Sequence, residues 1–328
     1  MARIGIIGGT GFIGPSIARQ LAEKGHWVAT LSRSECPVIP GSAAHFVSNR
    51  DDPTAVARLL TRQKIDLVID MIAMTEARTK PLLDALDGVV RRYVMASSMD
   101  VYRNYGGFHR DEVADPILTP MAEGSPLRMS RFPYRHSPSA QVSGNEWLRD
   151  YDNIPIEESV RALSRTEWTI LRLPMVFGPG DRQRRFVGLA RPLATGAPRL
   201  ELARGWAHWT TTFGYVDNVG AAIALAAAAE GSACEVYNIG EAAPVDQLTW
   251  AKRFADIARW HGEIALVDDA KSAMASFVAD LDLHFPLIAD TSKIRSQLNF
   301  REIVSVKDAV RRTFEYECKI GWPDQVLP

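Results

Sequence analysis

The stretch Ile4-Gly5-Ile6-Ile7-Gly8-Gly9-Thr10-Gly11-Phe12-Ile13-Gly14 decides the fold. Its first four residues form an apolar run, as in a strand buried on both faces. Glycines then punctuate a turn, and Pro15 to Lys24 carries helical spacing that ends at Gly25. Strand, glycine turn and helix N-terminus together make a site for a dinucleotide pyrophosphate. Small residues let the backbone approach the phosphates, and the helix end offers unpaired N–H groups and the positive end of its dipole. Gly8, Thr10, Gly11, Phe12, Ile13 and Gly14 are the expected contacts.

Outward from this turn the rhythm of strand and helix continues. His26 to Leu31 and Ala44 to Ser48 read as strands, and Asp52 to Gln63 as a helix with Asp52 as N-cap and Pro53 in its first turn. Ile65 to Ile72 is apolar and β-branched, Thr75 to Leu86 is helical, and Arg92 to Ala96 and Trp168 to Leu173 are further strands. The alternation predicts a doubly wound parallel α/β sheet with its ligands at the C-terminal strand ends. Residues 103–146 break the pattern, being rich in Pro, Gly, Ser and charge. A segment of that length leaving a strand end predicts a lid over the site, with a solvated surface loop as the alternative.

The chain has 328 residues and a formal net charge of -1. That length suits one large domain or two lobes. The charge balance argues against nucleic acid or an anionic membrane as the main partner. Cys36, Cys234 and Cys318 lie far apart, which suits a reducing compartment and gives no zinc spacing. The seven histidines show no metal-ligand spacing either, so no metal is expected. The longest other apolar stretch, Val219 to Ala229, is too short to span a bilayer. These features predict a soluble cytoplasmic protein.

Five further landmarks carry a family resemblance. They are Ser97-Ser98-Met99-Asp100-Val101-Tyr102, Leu171-Arg172-Leu173-Pro174-Met175-Val176-Phe177-Gly178-Pro179-Gly180-Asp181, Tyr215-Val216-Asp217-Asn218-Val219, Tyr237-Asn238-Ile239-Gly240 and Asp290-Thr291-Ser292-Lys293-Ile294. With them the chain resembles the short-chain dehydrogenase/reductase superfamily, in its extended or atypical branch of NAD-dependent epimerases and dehydratases. The resemblance implies a Rossmann domain of residues 1–178, about 211–240 and 289–317, with a smaller, discontinuous C-terminal substrate lobe of residues 179–210 and 241–288. It also implies that Asn49 and Arg50 flank the adenine, that Ala73 lies beside the ribose, and that Pro174 and Val176 face the nicotinamide amide. A homodimer through residues 75–86 and 156–163 is expected by the same analogy.

Cofactor choice follows from residue type. Members that prefer NAD place an acid at the end of the second strand, whereas this chain has Leu31-Ser32-Arg33. A hydroxyl and a guanidinium bind a 2′-phosphate that a carboxylate would repel. NADP(H) is therefore expected, with NAD(H) as second choice.

Hydride-transferring members of the superfamily use a Ser or Thr, a Tyr, and a Lys four residues after the Tyr. The Tyr exchanges a proton with the substrate oxygen, the Ser polarises that oxygen, and the Lys lowers the Tyr pKa and holds the ribose. Ser98 matches the serine. None of the eight tyrosines is followed by lysine at that spacing, and no lysine occurs between Lys80 and Lys252. Tyr151 is the best match, with Asn153 and Pro155 at the two positions where relatives carry lysine. Pro155 has no N–H to bond the Tyr151 carbonyl, so either Tyr151 precedes the helix or the helix starts loosely. A phenol without an ammonium neighbour suits reduction better than oxidation. Arg172 or a lid arginine is a candidate source of positive charge.

On the substrate side, Tyr102, Arg182, Arg185, His208 and Trp209 are candidate contacts. Arginines suit phosphate or carboxylate, and aromatic residues suit a flat or apolar wall. Family members that bind nucleotide sugars tend to carry an arginine where this chain has Thr211-Thr212. The expectation is an NADP(H)-dependent oxidoreductase acting on a carbonyl or hydroxyl of a small metabolite, with Ser98 and Tyr151 as oxygen-contacting groups. An epimerase, dehydratase or other lyase with transiently used cofactor, and a cofactor-binding protein without turnover, are the alternatives.

Overall fold

The computed structural model describes residues 1–323. The first part runs β1 (Arg3–Ile7), α1 (Gly14–Glu23), β2 (Trp27–Ser32), β3 (Ala44–Val47), α2 (Pro53–Arg62), β4 (Leu67–Asp70), α3 (Glu76–Leu86) and β5 (Arg92–Ser98). After α4 (Arg103–Phe108) a long segment leads to α5 (Asn153–Arg161), β6 (Glu167–Leu173) and β7 (Met175–Phe177). Then follow α6 (Val187–Ala194), β8 (Arg199–Ala203), α7 (Arg204–His208), β9 (Thr210–Thr211), β10 (Phe213–Tyr215), α8 (Val216–Ala228) and β11 (Glu235–Asn238). The chain continues through β12 (Val245–Asp246), α9 (Gln247–Ala258), β13 (Glu263–Val267), α10 (Ala275–Ala279), α11 (Ser292–Leu298) and α12 (Val306–Ile320).

Seven strands form one sheet in the order β11-β6-β5-β4-β1-β2-β3, every pairing parallel. Side chains alternate across a strand, so each strand feeds two cores. Ile4, Ile6, Val28, Leu67, Ile69, Val94 and Leu171 face one layer, which contains α1, α8, α9 and α12. Ile7, Ala29, Leu31, Val68, Met95 and Ile170 face the other, against Val56 and Leu60 of α2, Leu82 and Leu86 of α3, and Ile156 and Val160 of α5. The near-continuous apolar strands are thus explained by helices on both faces. Beside the main sheet lie three small pairs, parallel β8–β13 and β7–β10 and antiparallel β9–β12.

Residues 103–146 depart from a uniformly irregular segment. The first six residues form α4, and Asn104 ties the segment down from both sides. Its amide nitrogen donates to Ile117 O at 2.8 Å and Pro286 O at 2.7 Å, and its oxygen accepts from Ile117 N at 2.9 Å. Met99, Tyr102, Phe108, Met121, Trp209, Phe285 and Leu287 close a third apolar core around it. The helix expected from Thr75 starts at Glu76, because Thr75 pairs as a bridge with Tyr151. Among the described residues no helix is long and apolar enough to cross a membrane.

Asp52 caps α2 as its sequence predicts, accepting from Ala55 N at 3.0 Å. Asp52→Ala should therefore cost about 1 kcal/mol in urea unfolding, with cofactor affinity unchanged.

Candidate active site

The glycine turn between β1 and α1 is built by contacts no side chain would survive. A Cβ on Gly14 would lie 2.0 Å from Gly9 O, and one on Gly8, at φ +75°, would lie 2.8 Å from Ile72 Cγ2. Gly9 N donates to Ile6 O and Gly11 N to Gly8 O, which closes the turn. Among the described residues, the amides of Thr10, Phe12 and Ile13 donate to no backbone acceptor. They stand at the head of α1, where such donors gather anions. A cleft of about 420 Å³ runs beside them, lined by Thr10, Gly11, Phe12, Pro179, Gly180 and Arg182 among others. These residues fit a dinucleotide pyrophosphate.

At the next strand ends the expected adenosine contacts separate. Ser32 closes β2 with its hydroxyl donating to Ser34 O at 2.9 Å, and Arg33 beyond it is exposed. Asn49 is also exposed and accepts from Asp51 N at 3.1 Å. Arg50 turns inward, and this is a correction to its expected place at the adenine. Its Nη2 lies 2.6 Å from Asp70 Oδ2, which also accepts from Tyr93 at 2.7 Å, so the guanidinium closes a buried pair between β4 and α3. Ala73 is buried just past β4. Pro174 and Val176 are buried where β7 pairs with β10.

Ser98 and Tyr151 come together at the end of β5. Tyr151 precedes α5, the first of the two arrangements that Pro155 allows, and Asp152 caps the helix by accepting from Ile154 N at 3.2 Å. Asn153 joins the two. Oriented to satisfy both ends of its amide, it donates to Ala73 O at 3.1 Å and accepts from the Tyr151 hydroxyl at 2.7 Å and from Ser98 N at 3.2 Å. A neutral amide thus occupies the space between the phenol and the strand ends. Burial raises the Tyr151 pKa well above its usual value, and the Asp100 carboxyl and the ionisable Tyr134 hydroxyl raise it further. A hydrogen bond with Ser98 opposes them.

The segment 103–146 reaches this pair. Arg128 is buried, with Nε on Asp100 O at 2.6 Å and Nη2 on Asp152 Oδ1 at 2.9 Å. Arg131 Nε takes the other Asp152 oxygen at 2.6 Å. The clamp sets Tyr134 against Tyr151, ring centroids 5.3 Å apart, with its hydroxyl donating to Asp100 at 3.2 Å. His109 packs on Tyr134 at 6.1 Å, and burial with the nearby Arg128 charge drives its pKa down to about 4. Asn153, Asp100, Arg128 and Tyr134 were not assigned roles from the sequence. Two carried a signal, Asp100 by its place two residues after Ser98 and Asn153 by standing where relatives carry lysine.

Arg172 supplies no charge to Tyr151. Its guanidinium grips Glu157 at 3.0 and 2.7 Å, and Glu157 also accepts from Ser97 at 2.7 Å. Burial would raise the Glu157 carboxyl, but these partners outweigh it and hold the pKa below the usual range.

Three candidate substrate contacts are engaged elsewhere. Tyr102 is buried under the Arg172 guanidinium, with its hydroxyl on Asn238 at 2.7 Å. Arg185 donates to Val176 O at 2.6 Å and Asp181 at 2.8 Å. Trp209 has both faces covered, by Phe108 at 4.7 Å and Trp206 at 4.8 Å, so it offers no ring face to a ligand. Arg182 is exposed beside the glycine turn, and His208 is exposed near Asp246 at 3.7 Å.

A parallel sheet of this order, with free amides at the head of α1 and a Ser–Tyr pair at the strand ends, defines a dinucleotide-binding protein of the extended short-chain dehydrogenase/reductase type. The profile of the NAD dependent epimerase/dehydratase family matches residues 4–240, and the chain belongs to that family. Its members and structural neighbours are NAD-dependent epimerases, dehydratases and reductases.

A curated relative, the 2'-dehydrokanamycin reductase of Streptomyces kanamyceticus, is 28% identical over 233 residues, 68% of this chain. The match spans 57% of that relative's length. Solved structures share the fold at lower identity. MoeE5 in complex with UDP-glucose and NAD is 19% identical, over 97% of this chain and 99% of that one, with a TM-score of 0.67. The UDP-glucuronic acid 4-epimerase of Bacillus cereus, in complex with UDP-glucuronic acid and NAD, is 18% identical over 97% and 100%, with a TM-score of 0.66.

Proposed function

We propose that the protein is an NADP(H)-dependent reductase of a carbonyl on a small hydroxylated metabolite. The observation that carries this reading is the neutral setting of Tyr151. Its hydroxyl donates to an amide instead of lying beside an ammonium, and its pKa is pushed well above the usual value. Such a phenol is a proton donor and a poor base, which suits reduction.

The amides of Thr10, Phe12 and Ile13 would hold the pyrophosphate, Ser32 and Arg33 the 2′-phosphate, and Asn49 the adenine edge. The bound cofactor would supply hydride. Ser98 polarises the substrate oxygen, and Tyr151 gives it a proton. Asn153 holds the phenol in place through Ala73 and Ser98. The buried Thr211 and Thr212 offer no cation for a diphosphate, with Thr212 Oγ1 already accepting from Ala289 N at 2.9 Å. That favours a substrate without a nucleotide, and the reductase named among the relatives supports the carbonyl reading.

The test is loss of reduced-nicotinamide absorbance with NADPH and a panel of methylglyoxal, dihydroxyacetone, diacetyl and keto sugars. Turnover without net cofactor change would instead indicate an epimerase. For cofactor choice, wild type should bind NADPH at least tenfold tighter than NADH. Arg33→Ala should lose about tenfold to a hundredfold of NADPH affinity and leave NADH affinity unchanged. Equal affinity of the wild type for both cofactors refutes the preference.

A further inference from the structure

The Asp100 carboxyl is set among the proposed reacting hydroxyls. It is 3% exposed, and the groups facing it come from four elements. Ser98 lies two residues before it on β5. The lid brings Tyr134, whose hydroxyl donates to Oδ2 at 3.2 Å, and Arg128, whose Nε bonds the Asp100 carbonyl at 2.6 Å. Tyr105 of α4 and Tyr151 ahead of α5 are the other hydroxyls near it. Arg128 is itself balanced by Asp152. Oδ1 is buried without a hydrogen bond among the described residues. A bare carboxylate oxygen in that place is costly, and a proton on it removes the cost.

The Tyr151 hydroxyl proton points to Asn153, which leaves the phenol oxygen free to accept. We propose that Asp100 is a positioning residue for the proton, acting through Tyr151. In this arrangement its carboxyl, bonded to the Tyr134 hydroxyl and set near Tyr151, returns a proton to Tyr151 after each turnover, in a site that has no lysine. The proposal rests on the reductase reading for the destination of that proton.

A hydride from a reduced nicotinamide dinucleotide bonds to the carbonyl carbon, and the C=O π pair moves to oxygen. That oxygen takes the Tyr151 proton as the phenol O–H breaks. The Asp100 O–H then breaks and its proton restores the phenol. The carboxylate left behind keeps the Tyr134 bond and the Arg128 charge, and regains a proton from water. Carbonyl is reduced and dinucleotide oxidised. Burial raises the Asp100 pKa against the Arg128 charge and the hydroxyl bonds, which keeps the acid form available to higher pH than for a solvated aspartate.

The test is the pH titration of protein carrying aspartate labelled with ¹³C at the carboxyl. Asp100→Asn identifies the Asp100 resonance. Its midpoint should lie above those of the exposed aspartates. Tyr134→Phe should move it further up by about half a pH unit to one, because it removes a donor to the carboxylate, and Tyr151→Phe should move it down by a similar amount, because it removes the acceptor of the acid's O–H. With methylglyoxal as the carbonyl probe, Asp100→Asn should lower kcat at least tenfold with KM for NADPH unchanged and flatten the acid limb of the pH profile. Asp100→Glu should restore part of the rate. If Asp100→Asn does not fold, Tyr134→Phe, which removes only the lid hydroxyl, carries the titration. An Asp100 that titrates with the exposed aspartates and ignores both tyrosines overturns the proposal, as does an unchanged kcat in Asp100→Asn. Coupled titration in a protein that binds no NADPH overturns the reductase reading and leaves the shared proton standing.

Discussion

Gly14→Ala is expected to lose cofactor binding and a large share of the protein's stability together. The added Cβ would meet Gly9 O at 2.0 Å, Gly9 C at 2.4 Å and Gly9 Cα at 2.7 Å. All three are backbone atoms of the turn, so no side chain can swing aside. Relief must come from moving the head of α1 away from β1. Overpacking of this kind costs about 3 kcal/mol or more, against a total stability on the order of 5–15 kcal/mol. The same movement misplaces the amides of Thr10, Phe12 and Ile13, each a donor to phosphate worth about 1.5 kcal/mol or more. Affinity for NADPH should fall at least a hundredfold. Fluorescence titration and urea unfolding check both halves. A variant that binds and unfolds like wild type would mean that the turn is not the phosphate site.

Tyr151→Phe should reduce turnover by about 10²–10⁴ while leaving the fold intact. The ring keeps its packing against Tyr134 at 5.3 Å and Trp147 at 5.9 Å. Asn153 keeps its bonds to Ala73 and Ser98. What disappears is the proton at the substrate oxygen, so kcat should fall far more than KM changes. NADPH affinity and the thermal midpoint should stay near wild type. Full turnover in this variant would remove Tyr151 from the mechanism.

The fold was legible because its signals are local. The glycine turn, the Asp52–Pro53 helix start and the apolar strands each follow from neighbours in sequence, and parallel order follows from their alternation. The site was legible only in part. Ser98 and Tyr151 sit in recognisable surroundings, but their partners come from distant segments without periodicity. Tyr134 meets Asp100 across 34 residues and Arg128 meets Asp152 across 24. Nothing local distinguishes Arg128, which is buried at the site, from Arg131, which is half exposed. Charge misled for the same reason. Arg50, Arg172 and Arg185 look like ligand-binding groups in sequence, yet each closes an internal pair whose acid lies at a strand end, in a helix or in a turn. The neighbour of a charged residue is a property of the tertiary structure.

The double grip of Arg128 and Arg131 on Asp152 has an evolutionary corollary. On the proposed mechanism, the stretch that would choose among substrates is bolted to the residue adjoining the proton donor. Altered selectivity in this scaffold cannot be had by swapping the loop alone. Any replacement segment must arrive with two guanidinium groups at the right separation, or the chemistry will drift along with the preference.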